Sequence, residues 1–263
     1  MKLALSPSRL SDFKQCPLLY RYRAIDKIPE KKTRAQIKGT VVHQCLEDLF
    51  SLDHSARTLD SLTRRIPEVF EHMAAKDPEI RNLVSTPEEK REFFNEAWVL
   101  LRRYFVVENP RGFDPLSCEK YINGTLPNGV PIRGFIDRVD RAPTGELRIV
   151  DYKTGKKPPE RFSQQAMDQM RFYALAWWRL NNRVPTMLRL IYLSTDDPFL
   201  DLIPDREDLE RFEHSLDIVW EKIQMRIAAQ DFEATPSQLC PWCSYHALCP
   251  QQQGHKLPFP TMK

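Results

Sequence analysis

Apolar residues recur every three to four positions over 8–22, where Ser8 or Ser11 can cap a helix. They do so again over 35–52, where Val41, Val42, Cys45, Leu46, Leu49 and Phe50 form one stripe. That spacing predicts helices with one buried face. A basic connector, 27–34, lies between them. Residues 55–108 read as further helix interrupted at Pro67, Pro78 and Pro87, with 88–107 the clearest piece before Asn109-Pro110 stops it. The pattern then turns to short apolar runs. Residues 116–122, 130–140 and 147–153 predict strands, separated by Asn123-Gly124, Pro127-Asn128-Gly129 and Pro143-Thr144-Gly145. A helix over 162–180, a short strand over 188–193 and a long helix over 205–229 follow. Strands in hairpins bracketed by helices predict an α/β (α+β) fold, a mixed central sheet flanked by helices. One domain is expected over 1–263, with a basic segment at 1–34, a helical insertion at 55–108 and a cysteine-bearing segment at 230–263.

Composition narrows the function class. The 263 residues are 41% apolar and 29% charged, enough to bury a core and too ordered a mixture for a disordered tail. The longest uncharged run made mostly of apolar residues is 172–178, far short of a membrane span. The N-terminus has no long apolar stretch of the secretory kind, so a cytoplasmic protein is expected. Net charge is only +3, yet residues 1–38 hold ten Lys/Arg against three acids. A basic segment on a near-neutral body suggests a polyanion surface, although charge alone favours an ordinary solvated face. No Gly-x-x-x-x-Gly-Lys phosphate loop precedes Lys156, which excludes a nucleotide-driven motor of that type.

Chemistry concentrates in Gly134-Phe135-Ile136-Asp137-Arg138-Val139-Asp140 and Val150-Asp151-Tyr152-Lys153-Thr154-Gly155. Asp151 and Lys153 share one face of a strand and Tyr152 points away. A turn centred on Thr144 pairs positions that sum to 288. Asp137 then faces Asp151, and Phe135 faces Lys153. Like charges across a ladder repel, raise one another's pKa, or demand a cation. Lys153 supplies one positive charge. A hard divalent ion, Mg²⁺ or Mn²⁺, suits the oxygen donors. Alone, an Asp-x-Lys is as compatible with solvent-facing charges around a structural lysine.

These segments resemble the PD-(D/E)XK nuclease superfamily, and within it the RecB-like exonucleases. Asp137 matches the first acid and Asp151-Tyr152-Lys153 the D/E-x-K. Gly39-Thr40-Val41-Val42-His43 matches the family's helix histidine, and Gln169-Met170-Arg171-Phe172-Tyr173 its Gln-x-x-x-Tyr. Glu119 stands where the family often has a further acid. Ser6-x-Ser8-Arg9-Leu10 and Cys16-Pro17 also match. The resemblance implies a divalent-metal-dependent DNA exonuclease preferring single-stranded ends. It implies catalytic roles for Lys153, Asp137, Asp151, His43, Gln169 and Tyr173. Metal ligands would be His43, Asp137, Asp151, the Tyr152 backbone carbonyl and Glu119. A nuclease dedicated to trimming CRISPR spacers shares these motifs, and a catalytically silent DNA-binding module is the rival from another class.

Cys240, Cys243 and Cys249 crowd the C-terminal end, and Cys16 lies far upstream. Clustered cysteines in a reducing compartment point to metal rather than disulfides. Spacing alone fits zinc or an iron–sulfur cluster. The resemblance to AddB-type and CRISPR-associated nucleases implies a [4Fe–4S] cluster on Cys16, Cys240, Cys243 and Cys249, a clasp joining the chain ends, with zinc the alternative. Cys45 and Cys118 read as core fillers. DNA is the expected partner, contacted by Arg9, Arg21, Arg23 and Tyr173, and a helicase or another repair or CRISPR protein would work alongside.

Overall fold

The computed structural model describes residues 3–252 and 254–261. Its centre is a five-stranded sheet in the order β1 to β5. The strands are β1 (Ser117–Thr125), β2 (Pro131–Arg141), β3 (Leu147–Lys153), β4 (Met187–Tyr192) and β5 (Phe199–Leu202). β1, β2 and β3 are joined by antiparallel hairpins, with Gly129 and Gly145 at positive φ (91° and 103°) in the two turns. β3 and β4 run parallel, so a crossover is required, and α7 (Ser163–Asn181) provides it. The predicted sheet and its flanking helices are thus present. β5 was not anticipated, because four residues containing a charged Asp201 carry no periodic signal.

Helices cover both faces. On one side α1 (Pro7–Gln15), α7 and α8 (Arg206–Ala229) pack Leu10, Phe172 and Leu216 against Ile132, Val139, Ile149 and Leu188. On the other side α3 (Arg34–Phe50), α4 (Leu59–Lys76) and α6 (Pro87–Val107) pack Val42, Phe70 and Leu101 against Val150, Tyr152 and Ile191. Burial on both faces explains why β4 is apolar at every position but Arg189, which pairs with Asp201.

The helix boundaries agree with expectation at Pro78 and Pro87 and differ near Pro17 and Pro67. The 8–22 helix is broken at Cys16-Pro17 into α1, α2 (Pro17–Tyr20) and a π-helical turn at Arg21–Ile25, and the cap of α1 is Ser6. Pro17 cannot continue the hydrogen-bond ladder of α1, so the chain restarts there. Pro78 and Pro87 do begin new helices, α5 (Pro78–Leu83) and α6. Pro67 instead lies inside α4, where buried Ile66, Val69 and Phe70 hold the helix together across the missing donor.

The β2–β3 register matches the sum of 288, from Arg138–Val150 to Arg141–Leu147. The ladder ends at Arg138, so Asp137 and Asp151 stand just past its last pair. Phe135 is not opposite Lys153; its partner is Tyr121 on β1. The alternation of faces also slips at this point. Ile132 and Ile136 lie in the same core as Val139, and Arg138 turns to Tyr104 and Tyr152 on the opposite side. Beside the slip, Glu119 on β1 has φ 44°, a left-handed conformation costing a non-glycine residue on the order of 1–3 kcal/mol.

Candidate active site

The fork between β2 and β3 gathers side chains from both faces of the sheet. Its floor is set by Asp137, whose Oδ2 accepts the backbone N–H of Tyr152 at 2.8 Å, taking the place of a ladder bond. His43 on α3 approaches the same oxygen, Nδ1 to Oδ2 3.2 Å. One turn earlier on α3 is Gly39, where a Cβ would come within 3.3 Å of Thr154 Oγ1. The missing side chain lets the helix lie close to the end of β3. Glu119 completes this half: its carboxylate, His43 and Asp137 offer ligand atoms all within 4.8 Å of one another.

The other half faces α7. Asp151 is buried, and its Oδ2 lies 2.7 Å from Lys153 Nζ. Gln169 ties the two together, accepting from Lys153 Nζ at 2.7 Å and donating to Asp151 Oδ1 at 2.5 Å. It also reaches Tyr173 OH at 3.3 Å, one helical turn on. Gly134 lies against this tyrosine, since a Cβ there would meet Tyr173 Cε1 at 3.0 Å. Asp137 and Lys153 line the same groove, but the two acids take different partners. Asp137 turns to His43, and Asp151 spends its oxygens on Lys153 and Gln169.

Electrostatics follow from the crowding. Burial, then Asp137 and Glu47, push Glu119 up to about 7. Burial and the neighbouring Asp137 likewise raise Asp151, more than Lys153 lowers it. Burial disfavours a charged His43, but the hydrogen bond and charge of Asp137, with Asp151, win and raise it to about 9. Lys153 follows the same logic: burial opposes its charge, and Asp151 outweighs burial, so its pKa is raised. Excess negative charge held by a histidine and carboxylate oxygens is a donor set that fits a hard divalent cation.

Behind the fork, Arg138 is a buttress that sequence reasoning missed. It is fully buried, donating to Glu108 at 2.8 and 3.0 Å, to Asp140 at 3.2 Å and to the Tyr152 hydroxyl. Phe50, Phe113 and Tyr152 flank its guanidinium. The available signal was an arginine set between Ile136 and Val139 in a strand otherwise destined for the core.

Cys16, Cys240, Cys243 and Cys249 line one cavity, walled by Leu18, Leu19 and Tyr22. Cys16 Sγ accepts the N–H of Thr235 at 3.4 Å, and Cys240 Sγ that of Ser237 at 3.2 Å. The four cysteines border this cavity, two with amide donors, and thiolates are the donors that zinc and iron–sulfur groups take. Cys45 is buried in the α3 stripe, and burial pushes its thiol up to about 12. Cys118, part-buried beside Glu119, is pushed up to about 11.

Arg21 corrects the sequence reading, and the other N-terminal basic residues have protein partners. Arg21 is buried, donating to the carbonyls of Leu257 and Pro258 and stacking on Phe259, so it is not a DNA contact. Arg23 is paired with Asp12 and Glu30. Arg9 donates to the carbonyl of Ala4. Phe13, Tyr20 and Tyr22 are core residues. Lys32, Arg34 and Lys38 likewise pair with Asp77, Glu92 and Glu96. Charge counting could not foresee these partners, which come from distant segments.

A groove of about 1330 Å³ leads to the fork, lined among others by Lys14, Arg133, Phe135, Lys153, Gln169 and Tyr173. An acid-rich fork beside a half-buried lysine, opening into a groove of this size, is the site of a phosphodiester-cleaving fold. The family model described as the PD-(D/E)XK nuclease superfamily matches residues 4–250, and the chain belongs to that superfamily. The chain is 29% identical over 201 residues to the Gene 69 protein of Mycobacterium phage D29, covering 67% of this chain and 70% of that one. It is also 29% identical over 210 residues to one subunit of the ATP-dependent helicase/deoxyribonuclease of Streptococcus mutans, covering 76% of this chain but only 19% of that protein. A crystal structure from Eubacterium rectale, provisionally described as an exonuclease, superposes with a TM-score of 0.60 at 13% identity, covering 92% of this chain and 87% of the other. That likeness establishes the fold. Among the described residues no helix is long and apolar enough to cross a membrane.

Proposed function

We propose that this nuclease is a divalent-metal-dependent DNA exonuclease that hydrolyses phosphodiester bonds at single-stranded ends during repair or recombination. The observation that carries the reading is the meeting of His43, Glu119 and Asp137 beside the Asp151–Lys153–Gln169 triangle. His43, Glu119 and Asp137 would hold Mg²⁺ or Mn²⁺, with Asp151 and the Tyr152 carbonyl as further oxygens. Such an ion supplies Lewis acidity to a phosphate oxygen and lowers the pKa of a bound water. Lys153, held charged by Asp151, meets the phosphate as a cation and offsets the charge that grows on it during attack. Gln169 fixes Lys153 and Asp151 in one geometry, so little reorganisation is needed as charge develops. Tyr173 borders the groove and can orient the strand.

The cysteine cavity supports a [4Fe–4S] cluster as a clasp, with zinc as the alternative. Direct bonds already join the chain ends there, Tyr22 OH to the Leu248 carbonyl and Tyr245 OH to that of Ile28. Similarity to part of a helicase/deoxyribonuclease favours a helicase partner. The test is incubation of end-labelled single-stranded and circular DNA with Mg²⁺ or Mn²⁺. Wild type should shorten the labelled ends, and Lys153→Ala should lose about 10²–10³-fold in rate with its melting temperature kept. No products from wild type with either metal would leave a DNA-binding module instead.

A further inference from the structure

Two large aromatic side chains stand exposed on the wall of the catalytic groove. Tyr121 on β1 is 50% exposed and Phe135 on β2 is 54% exposed, and both line that groove. They are direct cross-strand partners, with ring centroids 4.8 Å apart and planes tilted by 38°. Each is two residues from an acid of the fork, Tyr121 from Glu119 and Phe135 from Asp137. At about 3.3 Å per strand residue, the pair sits about 7 Å along the sheet from Glu119 and Asp137.

We propose that Tyr121 and Phe135 form a stacking platform for a nucleobase of the single-stranded substrate, next to the nucleotide being cut. The proposal rests on the nuclease reading above and adds a substrate subsite to it. Charge agrees with this occupant. Arg133, two residues before Phe135, lines the same groove and brings positive charge to the backbone that must accompany a stacked base. A base in a duplex is already stacked on its neighbours and presents only its edges, so a platform of this kind selects an unpaired strand. Cross-strand aromatic pairs also stabilise sheets, and a purely structural role would leave substrate contacts unchanged.

The experiment separates these roles without needing cleavage. Single-stranded oligonucleotides carrying 2-aminopurine at successive positions from the end are bound to the full chain in EDTA. Wild type should change the fluorescence strongly at one position, and Tyr121→Ala/Phe135→Ala should abolish that change. Affinity should fall about 5- to 140-fold, the range expected for losing one stacked base. The conservative pair Tyr121→Phe/Phe135→Tyr should restore both. An abasic nucleotide at the sensitive position should weaken wild type by a similar factor and leave the alanine variant unaffected. A double alanine variant with unchanged affinity and an unchanged fluorescence profile would overturn the platform, as would loss of the effect in the conservative pair. Failure of the nuclease reading would show separately, as an inert wild type in the metal-dependent cleavage assay.

Discussion

Replacing Arg138 by methionine tests whether the fork depends on the buttress behind it. The guanidinium is inaccessible to solvent, and the side chains of Glu108 and Asp140 are only 8% and 12% exposed. Methionine fills much of the same space among Phe50, Phe113 and Tyr152, so the loss is mainly one of charge and hydrogen bonds. Breaking a buried ion pair from one side costs about 3–5 kcal/mol, because the partner charge stays buried. Arg148 moderates this. It remains 2.7 Å from Asp140 and 3.3 Å from Glu108. The lower end, about 3 kcal/mol, is therefore expected. At roughly 2–4 °C per kcal/mol for a chain near this size, the melting temperature should fall by roughly 6–12 °C. Circular dichroism melts of Arg138→Met, Glu108→Gln and the double variant read this directly. The double variant should lose less than the two singles together, since each removes the same interaction. A shift under about 2 °C for Arg138→Met, or strict additivity, would show that the network bears no weight.

Two further outcomes concern the groups the chain would bind. Glu119 (about 7) and His43 (about 9) both titrate above their ordinary values. A raised folded-state pKa gives stability that is present at low pH and lost as pH rises through that value. The metal-free protein should accordingly lose this contribution between about pH 5 and 9, whereas a cation that needs both groups deprotonated should bind more tightly over the same range. Differential scanning fluorimetry with Mn²⁺ against EDTA should show a stabilisation that grows from pH 6 to 9, and a flat or shrinking difference would refute the ligand set. Protein purified without oxygen should be brown and lose colour and several degrees of melting temperature in Cys243→Ala, while a colourless sample holding stoichiometric zinc would replace the cluster with zinc.

Much of the site is legible in the sequence because hairpin chemistry is local. Pro143-Thr144-Gly145 sets the turn, the turn sets the register, and the register brings Asp137 and Asp151 to the same end of two strands. Gln169 and Tyr173 share a helix face by their spacing alone. The Arg138 network was illegible for the opposite reason. Its partners Tyr104 and Glu108 lie 34 and 30 positions away on another element, and only packing brings them together. The fate of the N-terminal charges was hidden in the same way. Arg21 finds carbonyls 236 and 237 residues downstream, so a count of basic residues says nothing about which of them reach solvent.

The least legible feature is the one on which the site depends. A regular ladder would carry Asp137 and Asp151 into a hydrogen-bonded sheet, with their carboxylates side by side and repelling. Instead, the side chain of Asp137 takes the Tyr152 N–H, the strands separate, and the facing alternation slips by one residue. The slip turns Asp137 toward His43, while Asp151 stays with Lys153 and Gln169 in the same fork. Repulsion persists within the fork, where Asp137 still raises Asp151, and the strained Glu119 is the matching irregularity on β1. A period-two pattern cannot announce its own interruption, since the residues on either side remain correctly apolar. What the sequence does carry is the cause: an aspartate short enough to cap a backbone donor at the point where three charged groups would otherwise collide.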